Sequence, residues 1–122
     1  MIKLIIGVIL IVILLVLAWM FMKRTANIEA FQVKGMMTYY YMPSCPWCKK
    51  FNPVWEQFEE KVKADKLPII TRKVDATDKE NEEEITEQGI KGFPHVQKED
   101  EKGTKVFEGK RTVEELISFA NA

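Results

Sequence analysis

The chain opens with an uninterrupted run of apolar side chains. Residues 4–22 carry no charged group, and a helix of that length covers about 28 Å, close to the thickness of the hydrocarbon core of a bilayer. Lys23 and Arg24 end the run, and Trp19 lies near that end, where aromatic rings favour the membrane interface. A cleaved signal peptide is the alternative, but its apolar region is shorter and ends in small side chains, whereas residues 19–22 are bulky. The pattern therefore predicts a single transmembrane helix.

After a linker or short first element at residues 25–35, short apolar runs alternate with amphipathic stretches. Residues 36–41 and 68–75 have the composition of buried strands. Between them, apolar residues at helical spacing from Phe51 to Val62 predict a helix that packs one face on a sheet.

The C-terminal part predicts two more helices around a β-hairpin. An acidic run at residues 80–87 is typical of the solvated face of a short helix. Two short strands at residues 96–98 and 104–107 flank a loop that contains glycine, which is the pattern of a hairpin. The last helix is predicted to begin at Thr112, whose hydroxyl can cap it. The elements together predict an α/β domain.

Composition narrows the classes of function. The 18 basic and 18 acidic side chains balance, so the chain has no excess positive charge of the kind that binds nucleic acid. Two cysteines and one histidine are fewer than the about four ligands of a closed structural metal site. The sequence therefore predicts no nucleic-acid partner and no metal in a single chain, and leaves open a cluster shared by two chains.

The two cysteines, Cys45 and Cys48, lie where the first predicted strand turns into the first amphipathic helix. Cys45 falls at the helix N-terminus, where unsatisfied backbone N–H groups and the helix dipole stabilise a thiolate. Cys48 is one turn further on, so the pair can close a small disulfide and can exchange it with other thiols. A purely structural disulfide is the alternative, but so short a loop constrains the unfolded chain little.

The order of the elements and four motifs resemble the thioredoxin superfamily, and especially the domains of protein disulfide isomerases. The motifs are the active-site run, the third-strand run, the cis-proline segment and the final-strand turn, at residues 40–49, 73–77, 89–96 and 107–111. The resemblance implies a thioredoxin-like fold, a central mixed β-sheet flanked by helices, over residues 36–122. A transmembrane anchor at residues 1–24 would precede it.

The resemblance also implies roles for the active-site residues. Cys45 is expected to be the nucleophile and Cys48 the resolving cysteine of a thiol–disulfide oxidoreductase, with Pro46 and Trp47 forming the loop between them. Proline directly after the first cysteine is glutaredoxin-like, so glutathione is an alternative co-substrate. No other cofactor is expected.

The cis-proline segment is expected to bind substrate. By resemblance Pro94 is cis and places the backbone of Phe93 beside Cys45, where an extended substrate can pair with it. His95 follows at a position where relatives usually carry threonine. Its imidazole could modulate the Cys45 thiolate, or it could be a solvated strand residue that points away.

Tyr39 departs from the pattern of the family. Thioredoxin-like domains usually bury an aspartate or glutamate six residues before the first cysteine, where it can accept the proton of the resolving thiol. A phenol with a pKa near 10 is a poor base at neutral pH. The sequence therefore predicts slow release of the mixed disulfide.

The expected partners are protein thiols and disulfides, a reductase or glutathione as electron donor, and the membrane through residues 4–22. A membrane-tethered binding or assembly module that keeps the fold without catalysis is the alternative from a different class. The side of the membrane stays open. Lys23, Arg24 and Lys34 after the anchor slightly favour a cytoplasmic domain, whereas the resemblance to disulfide isomerases favours an oxidising lumen.

Overall fold

The computed structural model describes residues 1–26 and 32–122, and the chain divides into two compact units after residue 31. The first unit contains helix α1 (Ile2–Ala26), whose apolar stretch has a mean hydropathy of 3.3 and no buried part. It is long and apolar enough to span a membrane, a property that it shares with signal sequences. Lys23 and Arg24 lie in the last turn of α1, where basic side chains stabilise a helix C-terminus. The predicted linker at residues 25–35 lies partly outside the described residues.

The second unit is built on a four-stranded mixed sheet, as predicted. Its strands are β1 (Gly35–Tyr41), β2 (Ile69–Asp75), β3 (His95–Asp100) and β4 (Gly103–Val106). In the order β2-β1-β3-β4, strand β1 is parallel to β2 and antiparallel to β3, which pairs antiparallel with β4. Strand β1 begins at Gly35, one residue earlier than predicted. A Cβ atom on Gly35 would lie 2.9 Å from the carbonyl oxygen of Glu99. Glycine therefore lets β1 and β3 approach each other at this end of the sheet.

Three helices accompany the sheet: α2 (Pro46–Ala64), α3 (Glu82–Glu87) and α4 (Val113–Asn121). The acidic run predicted as one helix is divided into a 3-10 turn, Lys79–Asn81, and the short helix α3. Asp78 caps the turn by accepting a hydrogen bond from the backbone N–H of Glu80 at 3.1 Å. The side-chain amide of Asn81 donates to the carbonyl oxygen of Asp75 at 2.9 Å. These local bonds hold the turn against the end of β2.

The predicted hairpin and the predicted cap of the last helix are both present. Strands β3 and β4 leave only Glu101 and Lys102 between them, so the turn is tighter than the predicted loop. Gly103 adopts a φ of +113° there, a conformation that is strained for residues with a Cβ atom. The hydroxyl of Thr112 accepts a hydrogen bond from the backbone N–H of Glu115 at 3.3 Å.

Strand β1 is buried on both faces, because helices cover both sides of the sheet. On one face β1 packs against α2 and α4, through Met37, Tyr39, Phe51, Trp55, Phe58 and Leu116. On the other face it packs against the α3 region, through Tyr40, Val74, Ile85, Ile90 and Phe93. The carboxyl end of β1, which leads directly to Cys45, is thus anchored in the interior.

Candidate active site

Cys45 lies at the junction between β1 and α2. A turn connects the two elements, in which the backbone N–H of Cys45 donates to the carbonyl oxygen of Met42 at 3.1 Å. Cys45 is the N-cap residue of α2, and its sulfur accepts a hydrogen bond from the backbone N–H of Cys48 at 3.3 Å. Pro46 occupies the first helical position, where its missing N–H removes a donor that would lack a helical partner. The local sequence therefore places a sulfur atom where a helix N-terminus normally binds an oxygen.

The surroundings of Cys45 favour its thiolate. The pKa of Cys45 is lowered chiefly by a hydrogen bond with the Cys48 side chain, which together with the backbone N–H groups of Cys48 and Trp47 outweighs partial burial. The positive charge of Arg111 lowers the pKa further. Cys45 is half-buried, so a reagent or substrate can reach the sulfur. These are the properties of an attacking thiol.

Cys48 has the opposite character. Its side chain is fully buried, and this burial is the main cause that raises the pKa of its thiol. The neighbouring Cys45 raises the pKa further, whereas hydrogen bonds from the Met42 backbone and the Tyr39 side chain lower it. Cys48 therefore stays protonated where Cys45 ionises, which matches the roles that the resemblance implies for the two residues.

The segment that contains Pro94, far from Cys45 in the sequence, also lies next to the Cys45 sulfur. The peptide bond between Phe93 and Pro94 is cis, and the carbonyl oxygen of Phe93 lies 3.8 Å from the sulfur of Cys45. Phe93 is half-buried against the α3 region. Trp47, by contrast, is 61% exposed, and the ammonium group of Lys50 lies 4.9 Å from its ring centre. The Phe93 carbonyl oxygen therefore lies beside the Cys45 sulfur, and the exposed ring of Trp47 belongs to the residue two positions after Cys45.

His95 has partners on the sheet. One ring nitrogen, Nε2, lies 3.0 Å from the side-chain oxygen of Gln97, and the ring packs 5.8 Å from that of Tyr40. Neither partner belongs to the cysteine loop. The electrostatic effect of His95 on Cys45 stays a prediction.

Sequence reasoning missed two residues near the cysteines. Asn52 accepts a hydrogen bond from the Tyr39 hydroxyl at 2.9 Å, and Arg111 lines a cavity of about 120 Å³ that also contacts Phe51 and Pro94. The sequence places Arg111 only in the final-strand turn, residues 107–111. The sequence contains no pattern that identifies Asn52. It is one of many polar residues on the predicted helix, and the sequence does not show which of them faces the buried Tyr39.

Comparison with known proteins shows the family to which the chain belongs. A family model described as thioredoxin matches residues 21–122. The chain is 33% identical over 82 residues to protein disulfide-isomerase TMX3 of Xenopus laevis. The matched region covers 67% of this chain and 18% of that protein. It is 34% identical over 90 residues to a probable protein disulfide-isomerase A6 of Medicago sativa. That match covers 72% of this chain and 24% of the relative. The chain thus spans less than a quarter of the length of these two relatives.

Solved structures give the same result for the fold. The first two thioredoxin domains of Eps1p from Saccharomyces cerevisiae match with a TM-score of 0.63 and 30% identity, over 75% of this chain and 36% of that one. The first thioredoxin domain of mouse protein disulfide-isomerase A4 matches with a TM-score of 0.64 and 25% identity, over 72% of this chain and 61% of that one. With its thioredoxin-like fold and its relatives among the protein disulfide isomerases, this chain belongs to the thioredoxin family.

Proposed function

We propose that this chain is a thiol–disulfide oxidoreductase that exchanges disulfides with protein substrates through Cys45 and Cys48. The observation that carries the proposal is the asymmetry of the pair. The half-buried sulfur of Cys45 accepts a hydrogen bond at the N-terminus of α2 and has a lowered pKa, whereas the buried Cys48 has a raised one. Two thiols with separate roles are what a two-step exchange requires.

In the reducing direction, the Cys45 thiolate attacks one sulfur of a substrate disulfide. A bond forms between Cys45 and that sulfur, and the other substrate sulfur leaves with the electron pair and takes up a proton. Cys48 then loses its proton and attacks the sulfur of Cys45, which releases the second substrate thiolate. The substrate has gained two electrons, and the enzyme holds a disulfide between Cys45 and Cys48. Oxidation of a substrate dithiol is the same sequence in reverse.

The backbone of Phe93 and the ring of Trp47 are proposed to hold the substrate. Since the Phe93 carbonyl oxygen lies 3.8 Å from the Cys45 sulfur, a peptide that pairs with this backbone in an extended conformation brings its own sulfur to Cys45. Trp47 offers exposed apolar area next to it. Helix α1 would keep the reaction at a membrane surface, since it is long and apolar enough to span a bilayer.

Reduction of insulin by dithiothreitol tests the proposed activity directly. The full chain in detergent micelles is expected to accelerate insulin precipitation above the rate with dithiothreitol alone, and Cys45→Ser is the matched control. No acceleration by the unaltered chain would rule out general disulfide reductase activity and favour a binding module. A parallel reaction with glutathione as the only reductant tests the co-substrate, because turnover there would support the glutaredoxin-like alternative.

A further inference from the structure

Basic side chains surround the exchange site, although the chain as a whole is balanced at 18 basic and 18 acidic residues. Three segments lie around Cys45: residues 42–51, 89–95 and 107–111. Together they contain five basic residues and a single acidic one, Glu108. All five basic side chains are exposed, and we call them the basic rim: Lys49, Lys50, Lys91, Lys110 and Arg111.

The contacts of the fold bring these segments together. The carbonyl oxygen of Phe93 lies 3.8 Å from the Cys45 sulfur, which joins the second segment to the first. A cavity of about 120 Å³ is lined by residues of all three segments, among them Phe51, Pro94 and Arg111. Arg111 is also close enough for its positive charge to lower the pKa of Cys45. The basic rim therefore lies around the cysteine that a substrate must reach.

The charges of the basic rim are not neutralised inside the domain. Within residues 1–26 and 32–122, the ion pairs all lie elsewhere: Lys61–Asp65, Arg72–Glu84 and Lys98–Asp100. Glu108 lines the same cavity as Arg111 and offsets at most one of the five charges. Lys50 places its ammonium group 4.9 Å from the ring centre of Trp47, so a cation lies beside an exposed ring that is proposed to hold substrate. Unpaired charges of one sign attract a partner of the opposite sign.

We propose that the basic rim selects substrates whose disulfide lies next to acidic residues, so that an acidic peptide segment is the preferred substrate of Cys45. This inference rests on the proposed exchange activity and adds no covalent step to it. Cys45 and Cys48 are oxidised to a disulfide while the disulfide of the peptide is reduced to two thiols. The carboxylates of the peptide stay ionised and contact only the basic rim.

Screening by salt limits this attraction to the residues that flank the substrate cysteine. Consecutive residues of an extended peptide are about 3.3 Å apart, so acidic residues within three positions of the cysteine lie within about 10 Å of it. This is the distance over which exposed charges act at about 0.1 M salt. At about 0.5 M salt it falls to about 4 Å, and exposed charges lose most of their attraction.

Three synthetic peptides test the preference. Each contains the same disulfide-closed loop, flanked by glutamates, by glutamines or by lysines. The reduced full chain in micelles of a nonionic detergent is mixed with each peptide, and mass spectrometry of acid-quenched samples gives the second-order rate constant of reduction. The rate of each peptide with dithiothreitol alone corrects for the effect of the flanking charges on the disulfide itself.

At low salt, the corrected rate with the acidic peptide is expected to exceed the rate with the neutral peptide by about tenfold. The reason is that an exposed ion pair contributes about two- to fivefold in affinity and several can form at once. The basic peptide should react more slowly than the neutral one. Sodium chloride at about 0.5 M should reduce the preference for the acidic peptide to about twofold or less.

Substitution of lysines shows whether the basic rim causes the preference. In the triple variant Lys49→Gln, Lys50→Gln, Lys91→Gln, the ratio of the acidic to the neutral rate is expected to fall from about tenfold to about twofold, because three charges are lost. Lys50→Gln alone should lower the ratio about twofold. Its matched control is Lys63→Gln, which removes an exposed lysine of the same helix at a distance of about 20 Å along the axis and should leave the ratio in place.

Three results would overturn the inference. The first is equal corrected rates for the acidic and the neutral peptide with the unaltered chain. The second is a preference that persists in the triple variant. The third is an equal loss of preference in Lys63→Gln and Lys50→Gln, since the net charge of the chain would then act instead of the basic rim. Failure of the proposed function looks different, because the unaltered chain would then reduce none of the three peptides.

Discussion

Replacement of Cys45 by serine is expected to reduce disulfide exchange to the spontaneous rate, whereas replacement of Cys48 by serine is expected to trap the substrate. Serine at position 45 keeps an N-cap acceptor for α2 but is no nucleophile toward a disulfide at neutral pH. Serine at position 48 leaves the attack by Cys45 intact. The bond between Cys45 and the substrate then has no internal thiol to break it.

Insulin or a peptide with one disulfide, added to each variant without other reductant, distinguishes the two outcomes. Mass spectrometry after acid quenching should find the covalent adduct with Cys48→Ser in nearly every reacted chain, and none with Cys45→Ser. An adduct that accumulates with Cys45→Ser instead would reverse the roles of the two cysteines. The unaltered chain, which resolves its adduct, serves as the reference for both.

The second large effect is on stability, and it concerns Trp55. This side chain is fully buried under the sheet, with ring centres 5.4 Å from Tyr39 and 5.0 Å from Phe58. Trp55→Ala is expected to lower the free energy of unfolding by about 3–5 kcal/mol, because it removes buried apolar area and leaves a cavity. Urea denaturation of the full chain, followed by circular dichroism, measures the loss.

Trp55→Phe is the matched variant for that measurement. The indole nitrogen of Trp55 is buried and has no hydrogen-bond partner among the described residues, and a buried donor without a partner costs stability. Phenylalanine removes this donor and keeps an aromatic ring between Tyr39 and Phe58. We expect less than half of the loss seen with alanine. Equal losses of unfolding free energy in Trp55→Phe and Trp55→Ala would mean that the full size of the indole, and not the presence of an aromatic ring, determines stability at this position.

The local parts of the site could be predicted from sequence because short-range rules determine them. A buried strand followed by a turn and an amphipathic helix predicts a helix N-terminus near Cys45, with Cys48 one turn inside, and Cys45 is the N-cap residue of α2. The hairpin before α4 and the Thr112 cap follow from turn and capping chemistry in the same way.

Contacts between segments far apart in the sequence could be predicted only from the family resemblance, or could not be predicted. The proximity of Phe93 to Cys45 joins segments far apart in the chain, and no periodicity encodes it. The hydrogen bond from Tyr39 to Asn52 depends on which face of α2 lies over β1, and the effect of Arg111 depends on how the turn before α4 folds back to the sheet. The contact between His95 and Gln97 is local by comparison, since residues two apart on β3 lie on the same face of the sheet.

Alkylation of the two thiols as a function of pH tests the division of roles between Cys45 and Cys48 most directly. A lowered pKa means that the Cys45 thiolate persists as the pH falls below the ordinary thiol range, about 8.5, and is lost only below the shifted value. The raised pKa of Cys48 means that its thiolate appears only above that range. Brief iodoacetamide treatment of the reduced full chain at mildly acidic pH, read by peptide mass spectrometry, should therefore modify Cys45 and spare Cys48. Preferential modification of Cys48, or equal modification of both with an ordinary thiol profile, would contradict an exchange initiated by Cys45.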